Sequence, residues 1–212
     1  MIRPEWPAPG NILAGTTLVD TPEDALPAGI HLLNQVHGAR VVTIDEVRAA
    51  AGPLDADAVT GSAAGHVCAV RTADCLPVLF CTRDGNEIAA AHAGWRGLAA
   101  GVLENTVAAL RAAPSELLVW FGPAISQPNF EVGDEVREAF VAHDPDAAGC
   151  FVVNQRGRWQ ADLYELGRRR LAAAGVTRVF GGDWCTYAET ARFHSYRRDP
   201  GCGRMVSFIA LK

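Results

Sequence analysis

The sequence predicts an α+β protein built on mixed β-sheets. Short segments rich in Val, Ile, Leu and Phe lie between turn residues, and they outnumber the segments with helical periodicity. The two kinds of segment do not alternate regularly, which argues against a parallel α/β fold. With 212 residues, of which 49% are hydrophobic, residues 1–212 are expected to form a single domain whose core needs no disulfide or structural metal.

Apolar patterns and turn residues set the predicted elements. The predicted strands are Ile12–Leu18, Ile30–Leu33, Arg40–Ile44, Val67–Arg71, Val78–Cys81, Ile88–His92, Leu117–Phe121, Val176–Phe180 and Met205–Leu211. The predicted helices are Leu98–Ala112, Asp134–His143 and Asp162–Ala174. Pro114 is expected to end the first helix, and Gly175 the third.

Charge and composition narrow the classes of partner. The formal net charge is −5 and basic residues cluster only locally, so nucleic-acid binding is not expected. No apolar run approaches the 18 residues of a membrane span, and the first residues lack the apolar segment of a signal peptide. The six cysteines form no CxxC motif and are expected to be reduced. We therefore expect a cytoplasmic monomer.

Three segments place a metal-ligand residue where a predicted strand meets a turn. His37 follows an Asn-Gln pair, Cys75 follows an Arg-Thr-Ala-Asp run, and His92 leads into a Gly-Trp-Arg-Gly turn. Zinc binds His nitrogen and Cys thiolate, and three protein ligands with an open position are typical of a catalytic site. On residue type and spacing alone a second interpretation stays open, in which Cys75 is a small core residue and both histidines are satisfied polar groups.

Two further segments have two interpretations each. The segment 184–199 interleaves aromatic, hydroxyl and arginine side chains, which suits stacking on a base and contact with ribose or phosphate; Tyr196 and Arg197 are its candidates. It would equally suit a surface segment held by Arg–Asp pairs. The pair Asp55 and Asp57 could take part in the site or could accept backbone N–H groups in a turn.

These segments resemble those of the YfiH-like laccase-domain family, which was labelled multicopper polyphenol oxidase and is now described as zinc-dependent purine nucleoside phosphorylases. The resemblance runs from about residue 34 to the end of the chain. The matching motifs are Gln35-Val36-His37-Gly38, Asp55-Ala56-Asp57-Ala58-Val59-Thr60, Thr72-Ala73-Asp74-Cys75-Leu76-Pro77-Val78, Ala91-His92-Ala93-Gly94-Trp95-Arg96-Gly97, Phe121-Gly122-Pro123-Ala124-Ile125 and Ser195-Tyr196-Arg197-Arg198-Asp199.

The resemblance implies a four-layer α/β/β/α sandwich and a zinc ion held by His37, Cys75 and His92. Copper is the less favoured metal. It also implies phosphorolysis of adenosine, inosine, guanosine and methylthioadenosine, together with deamination of adenosine. Purine nucleosides and phosphate are thus the expected small-molecule partners.

The two chemistries need different side chains. Deamination needs a carboxylate that moves protons, and Asp74 and Asp57 are the candidates. Phosphorolysis needs arginines that hold the phosphate while positive charge develops on the sugar. The arginines nearest the triad in sequence are Arg40, Arg71 and Arg96, and the last of these begins a predicted turn and helix.

The N-terminal part departs from the family pattern. Gly15-Thr16-Thr17 is followed by leucine where the family has arginine, and the glycine loop and helix that usually come next are missing. We therefore expect a shortened N-terminal part. If those elements help to bind phosphate or sugar, the enzyme would be weakened or altered. His194 also stands where the family usually has an aromatic or apolar residue.

Three rival functions remain open at this stage. The first is a copper-dependent phenol oxidase, although a multicopper enzyme needs more histidines than the six present. The second is a cysteine hydrolase with Cys75 as nucleophile and His92 as base. The third is a binding domain that has kept the zinc and lost activity.

Overall fold

The structure is a computed structural model. It describes residues 1–212, apart from the side chain of residue 23.

Twelve strands form three sheets in the described chain. They are β1 (Ile12–Thr16), β2 (Val41–Thr43), β3 (Ala58–Gly61), β4 (Val67–Thr72), β5 (Leu76–Thr82), β6 (Ile88–Ala93), β7 (Leu117–Phe121), β8 (Glu131–Val132), β9 (Phe151–Val153), β10 (Trp159–Ala161), β11 (Val179–Gly181) and β12 (Met205–Leu211). The largest sheet has the order β11-β7-β5-β6-β3-β2 and mixes parallel with antiparallel pairs. Two antiparallel three-stranded sheets have the orders β1-β12-β4 and β8-β10-β9.

Five α-helices accompany the sheets. They are α1 (Ile44–Ala49), α2 (Trp95–Ala99), α3 (Val102–Ala109), α4 (Asp134–Val141) and α5 (Leu163–Ala173). A Thr43–Glu46 capping box begins α1, and the Asp162 carboxylate accepts the Glu165 N–H at the start of α5. Among the described residues, no helix has both the length and the apolar character to cross a bilayer.

The six-stranded sheet is covered on both faces, which explains why its central strands are apolar along their whole length. Phe80 and Phe121 belong to the core between this sheet and helices α2 to α5. Leu79 and Trp120 point the opposite way, into the core that this sheet shares with β4 and β12. Successive residues of a strand alternate between the two faces, so a single strand contributes to both cores.

The outer face of the sheet β1-β12-β4 is covered without an α-helix. Its apolar side chains Phe208 and Val67 pack against Leu26, Ile30 and Leu32, which lie in an irregular segment. The α+β class with mixed sheets is therefore confirmed. The fourth, helical layer implied by the family resemblance is not found on this face of the described chain.

Several predicted elements differ from the structure. Ile30–Leu33 is wrong as a strand, because this segment covers a sheet instead of joining one. The predicted helix Leu98–Ala112 is two helices, because Gly101 at φ 93 takes a left-handed conformation between them. The sequence does not predict the strands β3, β8, β9 and β10 or the helix α1. All five are six residues or shorter, which is too short for a clear periodic signal.

Glu87 joins the start of β6 to the segment that follows α3. Its buried carboxylate accepts the backbone N–H groups of Arg111 and Ala112 at 3.0 to 3.2 Å. The guanidinium of Arg111 also pairs with Glu87, but that side chain is 76% exposed.

We expect Glu87→Ala to lower the free energy of unfolding by about 2–3 kcal/mol, because two backbone N–H groups lose a charged acceptor. For a chain of this size that corresponds to a drop in Tm of roughly 5–10 °C. Arg111→Ala is the matched control and should cost less than about 1 kcal/mol, as exposed ion pairs do. Equal losses in the two variants by thermal or urea unfolding would refute the role assigned to the backbone contacts.

Candidate metal centre and its cavity

His37, Cys75 and His92 converge on one point of the structure. One possible ligand atom from each lies within 4.8 Å of the others. The Cys75 Sγ is 3.9 Å from His37 Nε2, and the two imidazole rings meet edge to face with centroids 4.8 Å apart. Two imidazoles and a thiol in this arrangement form a donor set that zinc and copper both accept.

Each of the three residues comes from a different backbone setting. His92 is the penultimate residue of β6 and is buried. Cys75 lies in the turn between β4 and β5, directly after Asp74, whose φ is 93. His37 lies in a loop with φ 59. Left-handed backbone at two non-glycine residues costs free energy, and such strain is found where the surrounding structure fixes it at a site.

The carboxylate of Asp57 holds two of the three candidate ligands. It accepts a hydrogen bond from His92 Nδ1 at 2.8 Å, which leaves His92 Nε2 for the cavity. It also accepts the backbone N–H groups of Val36, His37 and Gly38 at 2.7 to 3.3 Å. Asp57 itself is completely buried, so the loop that carries His37 closes over this charge.

Close backbone approach next to the triad requires glycine at two positions. A Cβ at Gly94 would lie 2.9 Å from both Cys75 Sγ and His37 Cδ2. A Cβ at Gly97 would lie 2.6 Å from the carbonyl oxygen of Gly38. Gly94 and Gly97 thus allow α2 to pack directly on the His37 loop, and the predicted Gly-Trp-Arg-Gly turn is in fact the N-cap and first residues of α2.

The pKa values at this centre reflect its hydrogen bonds. Burial raises the pKa of the Cys75 thiol, but hydrogen bonds and charge from His37 and His92 outweigh it and bring the pKa to about 6. Burial lowers the pKa of His92, but hydrogen bonds and charge from Asp57 and Cys75 outweigh it, and the net pKa is about 9. For Asp57, burial raises the pKa, and the bonds from His92 and the loop N–H groups lower it below its ordinary value.

The triad opens into a cavity of about 1070 Å³. Five arginines and three carboxylates line it, although the chain as a whole is negative. The charged residues are Arg71, Arg96, Arg158, Arg197, Arg204, Asp74, Glu131 and Glu135. The cavity therefore has the charge and size to bind an anion together with a nucleoside-sized molecule.

Aromatic rings in the cavity wall stack with three of these arginines. The Arg96 guanidinium lies 4.4 Å from the ring centroid of Trp95. Arg197 lies over Phe130 and Arg204 over Tyr196, each at 5.6 Å. Guanidinium groups oriented by rings are presented to a ligand with fewer rotamers to lose on binding.

Most candidate site residues line the cavity, and two of them, Arg40 and Asp57, do not. Besides the three candidate metal ligands, five of them line the cavity: Arg71, Arg96, Tyr196, Arg197 and Asp74. Arg40 is outside it and donates to the carbonyl oxygen of Asp55 at 3.2 Å. Asp57 lies behind His92 and is fully buried, so its position suits the holding of ligands and not the movement of protons to a substrate.

Sequence reasoning did not identify several cavity residues. Arg158, Arg204, Trp95 and Phe130 line the cavity but were not proposed as site residues. Trp95 lies inside the Gly-Trp-Arg-Gly turn, so its position beside His92 was the available signal. Arg158 comes from the β9–β10 hairpin, which no sequence pattern connected to the triad.

Comparison with known proteins agrees with this geometry. The family described as multi-copper polyphenol oxidoreductase laccase matches residues 18–212. This chain belongs to that family. A Pseudomonas aeruginosa relative and Escherichia coli YfiH, each 46% identical and aligned over 100% of this chain and 98% of their own, both carry the name purine nucleoside phosphorylase.

Solved structures of similar proteins share the fold. A Neisseria meningitidis protein superimposes with a TM-score of 0.89 at 42% identity and covers all of this chain. YlmD of Geobacillus stearothermophilus gives a TM-score of 0.84 at 27% identity over 96% of this chain. The observed sheets are therefore those of the YfiH-like fold.

Gly97→Ala should weaken metal binding at least about tenfold, because the new methyl group collides with the Gly38 carbonyl and displaces the loop that carries His37. The measurement is a metal titration of the purified variant. Gly149→Ala is the matched control, since a Cβ there meets no atom within 4 Å. Unchanged affinity in Gly97→Ala would show that the loop yields without moving the histidine.

Proposed function

We propose that this protein is a zinc-dependent purine nucleoside phosphorylase. The observation that carries the proposal is the cavity in which a His-Cys-His group faces a wall rich in arginine. Relatives that are 46% identical over the whole chain carry the name purine nucleoside phosphorylase, which supports the assignment.

His37, Cys75 and His92 would hold the zinc ion. Their fit to zinc rests on the donor set, on the lowered pKa of Cys75 and on the carboxylate of Asp57 behind His92, an arrangement common among zinc histidines. When bound, zinc supplies a Lewis acid that polarises an oxygen atom of a ligand in the cavity.

Other side chains of the cavity would bind the phosphate and the purine base. Arg71 and Arg96 line the same cavity as the triad, and among the described residues neither guanidinium pairs with a carboxylate within 4.0 Å. They are therefore free to bind phosphate with charge-assisted hydrogen bonds. Tyr196 and Phe130 would offer aromatic rings to the purine base, with Arg204 over the first ring and Arg197 over the second.

The nucleoside range is part of the proposal. We propose adenosine, inosine, guanosine and methylthioadenosine as phosphorolysis substrates, and adenosine deamination as a second activity of the same centre. All four nucleosides share a purine and a pentose, and the cavity volume of about 1070 Å³ accommodates any of them with phosphate.

Partners, cellular location and oligomeric state are also part of the proposal. The net charge of −5 supports a protein that does not bind nucleic acid, and six free cysteines support a cytoplasmic location. We propose a monomer with a shortened N-terminal part. The alignment with the Pseudomonas relative spans 241 residues against 212 in this chain, and the coil over β1-β12-β4 supports the shortening.

A cysteine hydrolase is the second candidate function, because Cys75, His92 and Asp57 also match a nucleophile, a base and an orienting carboxylate. The position of His37 favours the metal, since a hydrolase needs only one of the two histidines beside the thiol. A multicopper oxidase is disfavoured because only one His/Cys/Asp/Glu ligand group is found among the described residues.

Purified protein should contain one zinc ion per chain. Cys75→Ser should lose it, whereas Cys202→Ser, which changes another half-buried cysteine of the same cavity, should keep it. Elemental analysis of both variants and of the wild type is the measurement. Phosphorolysis by a metal-free wild-type protein would contradict the proposed zinc dependence.

Zinc affinity should also depend on pH in a defined window. Binding needs a Cys75 thiolate and a neutral His92, whose pKa values in the metal-free protein are about 6 and about 9. The apparent affinity should therefore rise with pH from 6 to 9 and then level off. Affinity that stays constant across this window, measured with a competing chelator, would contradict the assigned ligands.

Phosphorolysis is tested by phosphate-dependent release of hypoxanthine from inosine. Arg96→Ala should lower kcat/KM at least about tenfold, because it removes hydrogen bonds from a charged donor to phosphate. Arg96→Lys should recover only part of the loss, since lysine keeps the charge and not the planar fork. Arg178→Ala, an exposed arginine outside the cavity, is the control. Absence of base release from every purine nucleoside would overturn the proposed function.

A further inference from the structure

Asp74 lies at the junction between the metal centre and the rest of the cavity. It precedes Cys75 in the chain, lines the cavity and is 9% exposed. Its backbone takes the left-handed conformation with φ 93, which L-residues adopt only where other contacts hold them. One such contact is the hydrogen bond from the Ile125 N–H to the Asp74 carbonyl oxygen at 2.9 Å.

The Asp74 carboxylate accepts three hydrogen bonds from residues more than 100 positions away. Thr186 Oγ1 donates to one oxygen at 2.6 Å. Ser195 Oγ at 3.0 Å and the Arg197 backbone N–H at 2.7 Å donate to the other. Both hydroxyl donors are completely buried. With both oxygens occupied, this carboxylate is poorly placed to exchange protons with a substrate.

The segment that it holds carries two of the candidate substrate contacts. Residues 195–198 belong to no strand or helix, and Tyr196 is 53% exposed. Arg198 ties the same segment to its surroundings by donating to the carbonyl oxygens of Thr186, Tyr187 and Phe193. The Asp74 carboxylate is the contact that connects this segment to the turn of the metal centre.

We propose that Asp74 is a positioning residue that fixes the segment 195–198, and with it Tyr196 and Arg197, relative to Cys75. This role replaces the proton transfer expected from the sequence, and its catalytic consequence rests on the proposed function. A buried carboxylate with three donors holds its partners in one geometry, because releasing any of them leaves a buried charge less satisfied. The bound nucleoside then meets a preformed wall.

The test compares Asp74→Asn with Asp162→Asn. Both changes convert a carboxylate that accepts a backbone N–H into an amide, but Asp162 caps α5 and does not line the cavity. Three readouts apply to each purified variant: zinc per chain, amide hydrogen exchange in the segment 195–198, and kcat and KM for inosine and phosphate across pH 5–9.

We expect Asp74→Asn to keep one zinc per chain and to speed exchange of the Arg197 amide at least about tenfold, since its charged acceptor is lost. KM for inosine should rise by about tenfold or more with a smaller change in kcat, and the pH profile should keep its shape. Asp162→Asn should leave all three readouts unchanged. Ser195→Ala and Thr186→Val each remove one hydrogen-bond donor and should show smaller changes of the same sign. These two variants can test the proposal if Asp74→Asn does not fold.

Three outcomes would overturn the proposal. Unchanged exchange in 195–198 would show that the segment is held by other contacts. Loss of zinc in Asp74→Asn would show that the residue acts on Cys75. A fall in kcat with loss of one limb of the pH profile would make Asp74 a proton-transfer group. If wild-type protein shows no phosphorolysis, the proposed function fails, and the exchange rates alone decide whether Asp74 holds the segment.

Discussion

The buried charge of Asp57 is the constraint on which the metal centre depends. An unpaired carboxylate in a dry interior would cost several kcal/mol, so the chain around it must supply donors. It does so with His92 Nδ1 and with three consecutive N–H groups of the loop 36–38, which forces that loop into the conformation where His37 has φ 59. One carboxylate thus determines the position of a strand residue and of a loop residue that face the same point.

The same device recurs around the cavity. The side-chain amide of Gln35 exchanges two hydrogen bonds of 2.8 Å with the backbone of Arg71, much as a neighbouring strand would. The Asp74 carboxylate accepts hydrogen bonds from three residues of the C-terminal segment. Loops carry no hydrogen-bond ladder of their own, so polar side chains tie them to the strands and segments beside them. The consequence is a site whose walls are set before any ligand binds.

The fold class and the three triad residues could be predicted from the sequence better than the residues that surround the triad. Long apolar strands such as Leu117–Phe121 could be predicted because both faces are buried, whereas Ile30–Leu33 is also mostly apolar but covers a sheet without joining it. Asp57 fits both interpretations given from the sequence, because it accepts backbone N–H groups and also holds His92, and its contact with His92 depends on the long-range pairing of β3 with β6. Arg158 could not be predicted as a cavity residue. The long-range pairing of β10 brings it to the cavity, and no local sequence pattern indicates such pairing.

The position of the site in the chain also bears on the altered N-terminal part. Every residue of the triad, and every residue that holds it, lies at position 34 or beyond. The segment before it contributes strand β1, core residues such as Ile2 and Ala14, and the side chains of Leu26 and Ile30 that cover Phe208 on the outer face. The cavity is lined by residues from Asn34 to Arg204, whereas Leu26 and Ile30 belong to the cover of the outer face, so the cover and the metal centre are built from different parts of the chain. The chain can therefore depart from its family at the N-terminus and keep the arrangement of donors and arginines on which its chemistry depends.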